Sequence, residues 1–344
     1  MNFSLTLKMN DKQRFELITR NLQEVISIEE LKQSLKKKSL SIYWGTMPTG
    51  SPHVAYFLPM LKIADFLKAG LKVKILIADL HAALDGVSWE ILDKRQKYYE
   101  SLFPEILKAL GVDSKKLEFV KGSKLQLNPN YFHDLLKLST FVSQKDASKA
   151  SSEVVKQNEN PNISGLIYSM MQALDEEYLK VDMQFGGVDQ RKIMVFAREN
   201  LPKIGYSPRI ELMNPMIPGL IGKKMSASIP GSKIDILDSS DEVTKKIKNA
   251  EFSEGDSENG IMQFIRYVLF PLKQDTQQKL IIKRPEKFGG NLEYSDFSQI
   301  EKDVKAKKLH PLDIKLFVAN EINSILEKIQ KNKSLYKLYK DAYE

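Results

Sequence analysis

The sequence has no cysteine among its 344 residues. That absence excludes a disulfide framework and any metal site built on thiolates, so nothing in the composition suggests a secreted protein. The chain also lacks a run of the roughly 18 consecutive apolar residues that a transmembrane helix requires, and residues 1–7 are too short and too polar for a signal peptide. We therefore expect a cytoplasmic protein that does not enter a membrane.

Basic residues outnumber acidic ones, with 52 Lys and Arg against 44 Asp and Glu, which gives a net charge of +8. Such a balance favours a polyanionic partner without identifying it. The hydrophobic share of 42% is ordinary for a globular protein. The length is sufficient for two domains, each with a sizeable core.

Strand and helix patterns alternate in the first part of the chain. Residues 41–44 predict a short strand, residues 53–69 an amphipathic helix and residues 73–79 a second strand. This is a β-loop-α-β unit of a nucleotide-binding α/β sheet. A further amphipathic helix is expected earlier, from about Lys12 to Lys38.

Two changes of pattern divide the chain. From about residue 112 to residue 161 the sequence becomes largely helical and polar, which predicts an insertion between the two halves of the sheet. Beyond residue 229 three amphipathic helices, expected over 241–250, 260–270 and 311–330, are separated by short linkers, which predicts a separate α-helical domain. The predicted domains are therefore 1–229, including the insertion, and 230–344.

A turn-rich loop joins the first strand to the helix and predicts a phosphate site. Thr49 and His53 lie where that helix begins, and backbone N–H groups and the positive end of a helix dipole favour anions there. The alternative is that His53 only caps the helix. Far downstream, the segment Lys223-Lys224-Met225-Ser226-Ala227-Ser228 lies among prolines and glycines, as a phosphate-closing loop would. An ordinary solvated basic loop is the alternative there.

Polar residues on a predicted helix favour an amino-acid pocket. Tyr168, Gln172 and Asp175 follow one another at i, i+4 and i+7, on one helical face. A polar helix surface would explain the same pattern. Further on, Gly186-Gly187 permits close approach of the backbone to a sugar or base, and Asp189 could hold a ribose hydroxyl; paired glycines are also common in plain turns.

Taken together, these motifs resemble those of class I aminoacyl-tRNA synthetases, and within them the tyrosyl-tRNA synthetases of the eukaryotic and archaeal branch. The resemblance covers nearly the whole chain. The segments that carry it are Tyr43-Trp44-Gly45-Thr46, Pro52-His53-Val54-Ala55-Tyr56, Ala78-Asp79-Leu80-His81, residues 168–175, Gly186-Gly187-Val188-Asp189-Gln190 and Lys224-Met225-Ser226-Ala227-Ser228.

The resemblance implies a Rossmann-type catalytic domain, an α-helical anticodon-recognition domain and a homodimer joined through the insertion. It also implies the partners L-tyrosine, ATP and tRNA(Tyr), with adenylate formation followed by transfer of the tyrosyl group to the tRNA 3′ end. ATP would be a substrate that brings its own Mg²⁺, with no structural metal held by the protein.

The resemblance also assigns roles to individual residues. Tyr43 and Asp175 should bind the substrate phenol, and the other expected tyrosine-binding residues are Asp79, Tyr168, Gln172 and Gln190. Thr49, His53 and Lys224 should stabilise the phosphates as catalytic residues. The further expected ATP-binding residues are Gly45, Gly187, Asp189, Met225, Ser226 and Ser228. Expected tRNA contacts are Arg191 and Lys192 at the acceptor stem and Phe288, His310 and Asp313 at the anticodon, with Phe288 stacked on the wobble guanine.

The chain departs from the family pattern at two places. The upstream signature His-Ile-Gly-His keeps only its first histidine, His53, a change that the eukaryotic-type branch tolerates. In the downstream loop Ala227 stands where Lys or Ser is usual, so a second lysine is missing beside Lys224. This second departure leaves open how the loop shares the charge of the transition state.

Three other functions deserve comparison. A non-catalytic RNA-binding relative would have no use for Thr49, His53, Asp189 and Lys224 together. A small-molecule adenylyltransferase would not need a helical C-terminal domain with residues of the anticodon-site type. A tryptophanyl enzyme needs no phenol acceptor, so the pairing of Tyr43 with Asp175 favours tyrosine.

Overall fold

The computed structural model describes residues 9–37, 39–155, 162–222, 225 and 231–344. Within this part of the chain the strands are β1 Glu24–Ile26, β2 Ser41–Thr46, β3 Lys72–Ile77, β4 Leu117–Lys121, β5 Met183–Gly187, β6 Ile210–Asn214, β7 Leu280–Ile282 and β8 Leu292–Tyr294. The α-helices are α1 Asp11–Thr19, α2 Ile28–Ser34, α3 Phe57–Lys68, α4 Asp79–Leu84, α5 Leu92–Ala109, α6 Gly122–Gln126, α7 Pro129–Ser139, α8 Gln144–Ser151, α9 Ser164–Tyr178, α10 Arg191–Asn200, α11 Ser240–Asn249, α12 Gly260–Phe264, α13 Phe270–Asp275, α14 Phe297–Lys305, α15 Pro311–Gln330 and α16 Ser334–Tyr343.

The main sheet has six strands in the order β1-β6-β5-β2-β3-β4. The five strands from β6 to β4 run parallel, and β1 pairs antiparallel with β6 at the edge. Read from β2, the parallel strands follow the doubly wound order in which the chain builds one half of the sheet and then crosses to build the other. The prediction of a Rossmann-type sheet is therefore confirmed.

Both faces of this sheet are covered, as is usual for parallel sheets. On one face Phe66 of α3 packs edge-on against Phe185 of β5, with ring centroids 5.1 Å apart. On the other face Tyr43 of β2 packs with Leu179 and Val181, which follow α9. Because successive side chains of a strand point to opposite faces, each strand contributes to two different cores.

The predicted helix from Lys12 to Lys38 is wrong. Helix α1 ends at Thr19, and Asn21 and Ser27 adopt the left-handed backbone region, with φ of 59° and 67°, on either side of β1. Strand β1 lies between these two turns and completes the sheet edge beside β6. Tertiary pairing with β6 has here overridden a helical apolar pattern.

The predicted helical insertion begins later than its expected start near residue 112. Residues 117–121 form β4, which pairs with β3 and extends the sheet. Helices α6, α7 and α8 follow, and apolar side chains of α7 and α8 join those of α9 and α10 in one buried cluster that includes Tyr131, Leu138 and Ala150. The role of this region as an insertion of the predicted domain 1–229 stays a prediction.

The residues form two compact units by their contacts. The first comprises Met1–Thr49, Lys62–Glu100 and Ser114–Pro215, and it holds the main sheet. The second comprises Gly50–Leu61, Ser101–Asp113 and Met216–Glu344. The second unit thus includes the segment around His53 together with the C-terminal helices, and the domain boundary predicted near residue 230 stays a prediction.

The second unit is mostly helical, with a short β7–β8 hairpin. Two of its predicted helices, 241–250 and 311–330, correspond to α11 and α15, and each begins at a capping side chain. Ser239 and Glu242 form a reciprocal capping box at α11, and His310 accepts from the backbone N–H of Leu312 at α15. Across the described ranges, none of the helices is both long and apolar enough to cross a bilayer.

Gly260, the first residue of α12, provides a test of packing in the second unit. A Cβ atom there would lie 2.5 Å from the Gly219 carbonyl oxygen and 2.8 Å from that of Pro218. Because backbone atoms cannot rotate away, we expect Gly260→Ala to destabilise the protein by about 1–3 kcal/mol. The midpoint of urea unfolding measures this change.

Gly165→Ala is the matched control, since a Cβ at Gly165 would meet Val155 at an ordinary 3.4 Å. This substitution lies in α9, where alanine is favoured over glycine, so it should be neutral or slightly stabilising. Equal midpoints for the wild type and Gly260→Ala would contradict the described packing.

Candidate active site

The candidate site lies where the order of the parallel strands reverses, between β2 and β5. In doubly wound sheets, ligands bind in the crevice beyond the carboxyl ends of the strands at this point. Tyr43 and Gly45 lie in β2, and Gly187 ends β5. Asp189 and Gln190 follow in the 3₁₀ turn Val188–Gln190. The fold thus brings together residues from two sequence segments about 140 positions apart.

The hydroxyl of Tyr43 is buried without a hydrogen-bond partner among the described residues. The residue as a whole is only 1% exposed. Burial raises the pKa of Tyr43 well above its usual value, and the nearby carboxylates of Glu176 and Asp175 raise it further. A buried hydroxyl without a partner costs free energy, so this atom is suited to a polar ligand.

Asp175 provides a buried carboxylate on α9. It accepts hydrogen bonds from the Gln126 amide, at 2.8 and 3.0 Å, and from the Tyr131 hydroxyl, at 2.9 Å. Burial raises the pKa of Asp175 to about 7, although these two hydrogen bonds act in the opposite direction. The network fixes the orientation of the carboxylate, which can still accept from a ligand hydroxyl because each oxygen has two lone pairs.

His81 completes this network. Its Nδ1 lies 3.2 Å from the Gln126 Nε2, and its ring meets Tyr168 edge-on with centroids 4.6 Å apart. Burial lowers the pKa of His81 to about 4, so the ring is neutral at neutral pH. If Nδ1 accepts from Gln126, then Nε2 carries the hydrogen. That Nε2 lies 3.8 Å from the Asp175 carboxylate, and a hydrogen bond to the Tyr168 backbone opposes the effect of burial on the pKa of the ring.

The structure also brings together most of the other predicted tyrosine-binding residues. Gln172 donates to the side-chain oxygen of Gln190 at 3.1 Å, and the Tyr168 hydroxyl lies 3.5 Å from the Met47 sulfur. Asp79 has a different environment. Its carboxylate accepts from the Ser123 backbone N–H at 2.7 Å, which ties α4 to α6. Its predicted role in tyrosine binding stays a prediction.

Three residues of this network were not predicted from the sequence, namely His81, Gln126 and Tyr131. His81 lies in a segment that was recognised but received no role. Gln126 and Tyr131 lie on α6 and α7, some 50 and 40 residues from Asp175 along the chain. Nothing in their local sequence indicates that they would meet Asp175.

A row of buried polar residues crosses the sheet beside Tyr43. Cross-strand register pairs Tyr43 with Gln184 and Gln184 with Glu211. Glu176 of α9 lies close enough to raise the pKa of Glu211, and both glutamates are completely buried. Among the residues that the structure describes, none of their four carboxylate oxygens has a hydrogen-bond partner.

These two glutamates hold protons more tightly than they would in water. Burial raises the pKa of Glu176 to about 8, against the opposing influence of Arg209 and Arg198. Burial and the neighbouring Glu176 raise the pKa of Glu211 well above its usual value. Near neutral pH the pair is therefore at least partly protonated, which leaves less negative charge buried beside Tyr43.

Among the residues predicted to bind ATP, His53 lies in the second unit. His53 precedes the 3₁₀ turn Val54–Tyr56, and its ring packs edge-on against Tyr56 with centroids 5.4 Å apart. The backbone around it pairs with a later segment, since the Val54 N–H donates to the Ile234 carbonyl at 2.9 Å. An isolated antiparallel bridge joins His53 to Asp235.

Part of the predicted phosphate-closing loop lies outside the described residues. Lys224, Ser226 and Ser228 belong to that part, whereas Met225 is described and buried. The segments that flank the loop are joined by a hydrogen bond from the Leu220 N–H to the Ser232 carbonyl, at 3.0 Å. Thr49, at the end of the first unit, is exposed.

The predicted acceptor-stem residues have acidic partners in the structure. Arg191 donates to both carboxylate oxygens of Glu24, at 2.7 and 2.9 Å, and these contacts lower the pKa of Glu24. Lys192 lies 2.9 Å from the Glu153 carboxylate and donates to the Ser152 hydroxyl at 3.0 Å. Both basic residues lie at the surface, where a phosphate can replace the acidic partner that each now has.

The predicted anticodon residues lie in the second unit. Phe288 is 59% exposed, with the Lys287 ammonium 5.0 Å from the centre of its ring. His310 and Asp313 lie at the start of α15. Arg284 joins the two segments, because it donates to the Gly290 carbonyl and to the Lys308 carbonyl at 3.0 and 3.1 Å.

Residues 35–327 match the family model of class I tRNA synthetases for tryptophan and tyrosine. The chain belongs to this family, which confirms the resemblance inferred from its motifs.

Several relatives within the family are named as tyrosine enzymes. The chain is 52% identical over 342 residues to the cytoplasmic tyrosine–tRNA ligase of Danio rerio, covering 98% of itself but only 64% of that protein. It is 49% identical to the cytoplasmic tyrosine–tRNA ligase of Saccharomyces cerevisiae, covering 89% of that protein. The tyrosyl-tRNA synthetase of Archaeoglobus fulgidus, solved with L-tyrosine, has a TM-score of 0.87 at 38% identity over 94% of this chain and 99% of that one. The chain thus spans less than two thirds of the length of the vertebrate relatives that it matches.

The buried glutamate pair predicts a pH dependence of stability. A carboxyl whose pKa is higher in the folded state than in the unfolded chain contributes less to stability as pH rises, because ionisation stabilises the unfolded chain at pH values where the folded protein still holds the proton. For Glu176 this loss spans the range from its usual pKa of 4.5 to about 8. Glu176→Gln cannot ionise, so its stability should fall less over this range than that of the wild type.

Urea unfolding at several pH values across this window measures the effect. Glu199→Gln is the matched control, because Glu199 is exposed on α10, and its stability should follow the wild type at every pH. A wild-type pH dependence that persists unchanged in Glu176→Gln would show that Glu176 ionises normally in the folded protein.

Proposed function

We propose that this protein is a tyrosine–tRNA ligase of the cytoplasm, as its relatives are named. It would convert L-tyrosine and ATP to tyrosyl-adenylate and pyrophosphate, and then transfer the tyrosyl group to the 3′ end of tRNA(Tyr). The observation that carries the proposal is the pairing of two buried groups. The Tyr43 hydroxyl awaits a partner, and the Asp175 carboxylate is held in a fixed orientation close to it.

This pair suits a phenol. A phenol hydroxyl both donates and accepts, so it could donate to the Asp175 carboxylate while it accepts from the Tyr43 hydroxyl. The indole of tryptophan offers only a donor, so it could not accept a hydrogen bond from the Tyr43 hydroxyl while it donates to Asp175. On the same helix as Asp175, Tyr168 and Gln172 would face the amino group, together with Gln190.

The chemistry needs no nucleophile from the protein. A carboxylate oxygen of tyrosine attacks the α-phosphorus of ATP, and the bond from that phosphorus to the bridging oxygen of pyrophosphate breaks. A hydroxyl of the terminal tRNA ribose then attacks the tyrosyl carbonyl, and AMP leaves. The protein would align the reactants and stabilise the moving charge. Thr49, His53 and Lys224 would serve the phosphates, and Gly45, Gly187 and Asp189 the adenosine.

Magnesium would enter with the nucleotide, since Mg²⁺ is usually bound through substrate phosphates rather than in a cage made only of protein groups. Met225, Ser226 and Ser228 would accompany Lys224 in the loop over the phosphates. The tRNA would contact Arg191 and Lys192 at its acceptor stem and Phe288, His310 and Asp313 at its anticodon.

A homodimer is part of the proposal. Helix α7 and the turns at its ends expose large apolar side chains, namely Leu127, Phe132, Leu136 and Phe141. A contiguous apolar patch on a surface favours association with another protein. The occupant we propose is a second copy of the chain, in keeping with the expected dimer contact through the insertion.

The first test is tyrosine-dependent ATP–pyrophosphate exchange, in which the wild type should be active with tyrosine and not with tryptophan. Tyr43→Phe removes a hydroxyl that has no partner among the described residues, so it should leave the stability unchanged or slightly raised. It should raise the KM for tyrosine by about 5- to 150-fold, the equivalent of about 1–3 kcal/mol for an unpaired buried group.

Tyr131→Phe provides the contrast, because the Tyr131 hydroxyl bonds the Met171 carbonyl and Asp175. That variant should lose stability as well as activity. An unchanged tyrosine KM in Tyr43→Phe would remove Tyr43 from the phenol site, and exchange with tryptophan alone would overturn the proposed substrate.

The anticodon assignment predicts a defect that is confined to the tRNA step. Asp313→Ala should leave ATP–pyrophosphate exchange intact, because that step needs no tRNA. Aminoacylation should fall in kcat/KM by about 1–3 kcal/mol for one lost base contact. Replacing the wobble guanine of the tRNA should cause a similar loss in the wild type.

The two losses should not add in a double-mutant cycle, since both remove one interaction. Glu321→Ala, in the middle of the same helix and paired with Lys273, is the control and should show no coupling to the wobble base. Fully additive losses for Asp313 would mean that this residue contacts something else.

A further inference from the structure

The C-terminal helix α16 reaches the segment that carries His53, and both belong to the second unit. The hydroxyl of Tyr343 donates to the Gly50 carbonyl oxygen at 2.9 Å. One helical turn earlier, the Tyr339 hydroxyl is hydrogen-bonded to the Ser51 side chain. The two tyrosine rings lie together, with centroids 5.3 Å apart. Two adjacent side chains of one helix therefore hold two adjacent residues of the loop before His53.

Ser51 is the centre of a small polar cluster. It is 8% exposed, and its hydroxyl donates to the Asp235 carboxylate. The Lys233 ammonium lies 2.9 Å from both the Ser51 hydroxyl and the Asp235 carboxylate. A charge-assisted cluster of this kind is stronger than a neutral hydrogen bond, so it fixes the position of Ser51 firmly.

The backbone on the far side of this cluster is fixed as well. The Val54 N–H donates to the Ile234 carbonyl at 2.9 Å, and the Ile236 N–H to the Pro52 carbonyl at 3.4 Å. The backbone around His53 is therefore hydrogen-bonded to residues 234–236, and the start of the same segment, at Gly50, is hydrogen-bonded to α16. Both contacts restrict the backbone beside His53.

Helix α15 is connected to the same segment. At its C-terminal end, the Gln330 amide donates to the carbonyls of Ile236 and Asp238, at 3.0 and 2.9 Å. At its N-terminal end lies Asp313. The helix has 20 residues, so at 1.5 Å per residue it spans about 30 Å. One continuous helix and its neighbour α16 thus connect the proposed anticodon residues with the segment of His53.

We propose that Tyr339 and Tyr343 are positioning residues for adenylate formation, which hold Gly50 and Ser51 and through them set the place of His53. This role rests on the proposed function, since it assumes that His53 acts on the phosphates of ATP. Neither tyrosine touches the reactants. Their contribution is the fixed geometry of the loop, because a small misplacement of a catalytic group lowers the rate strongly.

The test compares two hydroxyl deletions on one helix in the full-length protein. Tyr343→Phe should lower kcat of tyrosine-dependent ATP–pyrophosphate exchange by about 5- to 20-fold without tRNA, as expected for a displaced catalytic group, with the KM for tyrosine unchanged. Tyr336→Phe is the matched control, since Tyr336 is 40% exposed on the same helix, and it should behave as the wild type. Tyr339→Phe combined with Tyr343→Phe should have the larger effect.

A double-mutant cycle with His53→Ala separates positioning from general loss of structure. If Tyr343 acts through His53, then Tyr343→Phe should cost little more once His53 is already alanine. A full 5- to 20-fold loss in the His53→Ala background, or no loss in the wild-type background, would overturn the proposal. Thermal unfolding of each variant shows whether a lower rate merely follows a lower fraction of folded protein.

Amide hydrogen exchange tests the anchoring without relying on catalysis. In Tyr343→Phe, peptides that cover residues 50–56 should exchange faster than in the wild type, whereas Tyr336→Phe should leave them unchanged. Unchanged exchange in Tyr343→Phe would contradict the anchoring itself. If the loop is anchored in this way but the wild type has no tyrosine-dependent ATP–pyrophosphate exchange activity, the proposed function is overturned instead. The positioning role of the two tyrosines in adenylate formation would then fall with it.

Discussion

The carboxylate of Asp175 is completely enclosed, and a buried charge is tolerated only where hydrogen bonds replace the water that it has lost. Gln126 and Tyr131 supply those bonds from α6 and α7, and His81 contributes its neutral ring from α4. Four helices therefore meet at one carboxylate. Removing either partner would leave the buried carboxylate with fewer hydrogen bonds, so the packing of these helices and the orientation of Asp175 depend on each other.

A second consequence concerns the polar groups that remain without partners. The Tyr43 hydroxyl and the oxygens of Glu176 and Glu211 are buried and have no hydrogen-bond partner among the described residues. Such groups weaken a fold unless something else compensates. At Tyr43 a ligand phenol would supply the missing partner. At the two glutamates, retained protons reduce the cost, because a neutral carboxyl is far easier to bury than a carboxylate.

The predictions from sequence were most reliable where function constrains a short segment. The strand 41–44, the helix 311–330 and the residues Tyr168, Gln172 and Asp175 were all recognisable from local spacing, and the structure places these three on one helix. The prediction of a helix from Lys12 to Lys38 was wrong because Glu24–Ile26 pairs with β6 as a strand at the edge of the sheet. Strand β4 lies within a stretch whose sequence predicts helices. In both cases pairing with a distant strand outweighed local preference.

The sequence by itself determined the family and the doubly wound sheet, because local spacing and recurring motifs carry that information; the residues for tyrosine and ATP stay a prediction. Tertiary structure alone decided which residues surround them. Gln126 and Tyr131 reach Asp175 from other helices, Glu211 joins Tyr43 through strand register, and Tyr343 meets Gly50 from the far end of the chain. These contacts join residues between about 40 and 290 positions apart, and no periodicity within a short window can encode a partner at that distance.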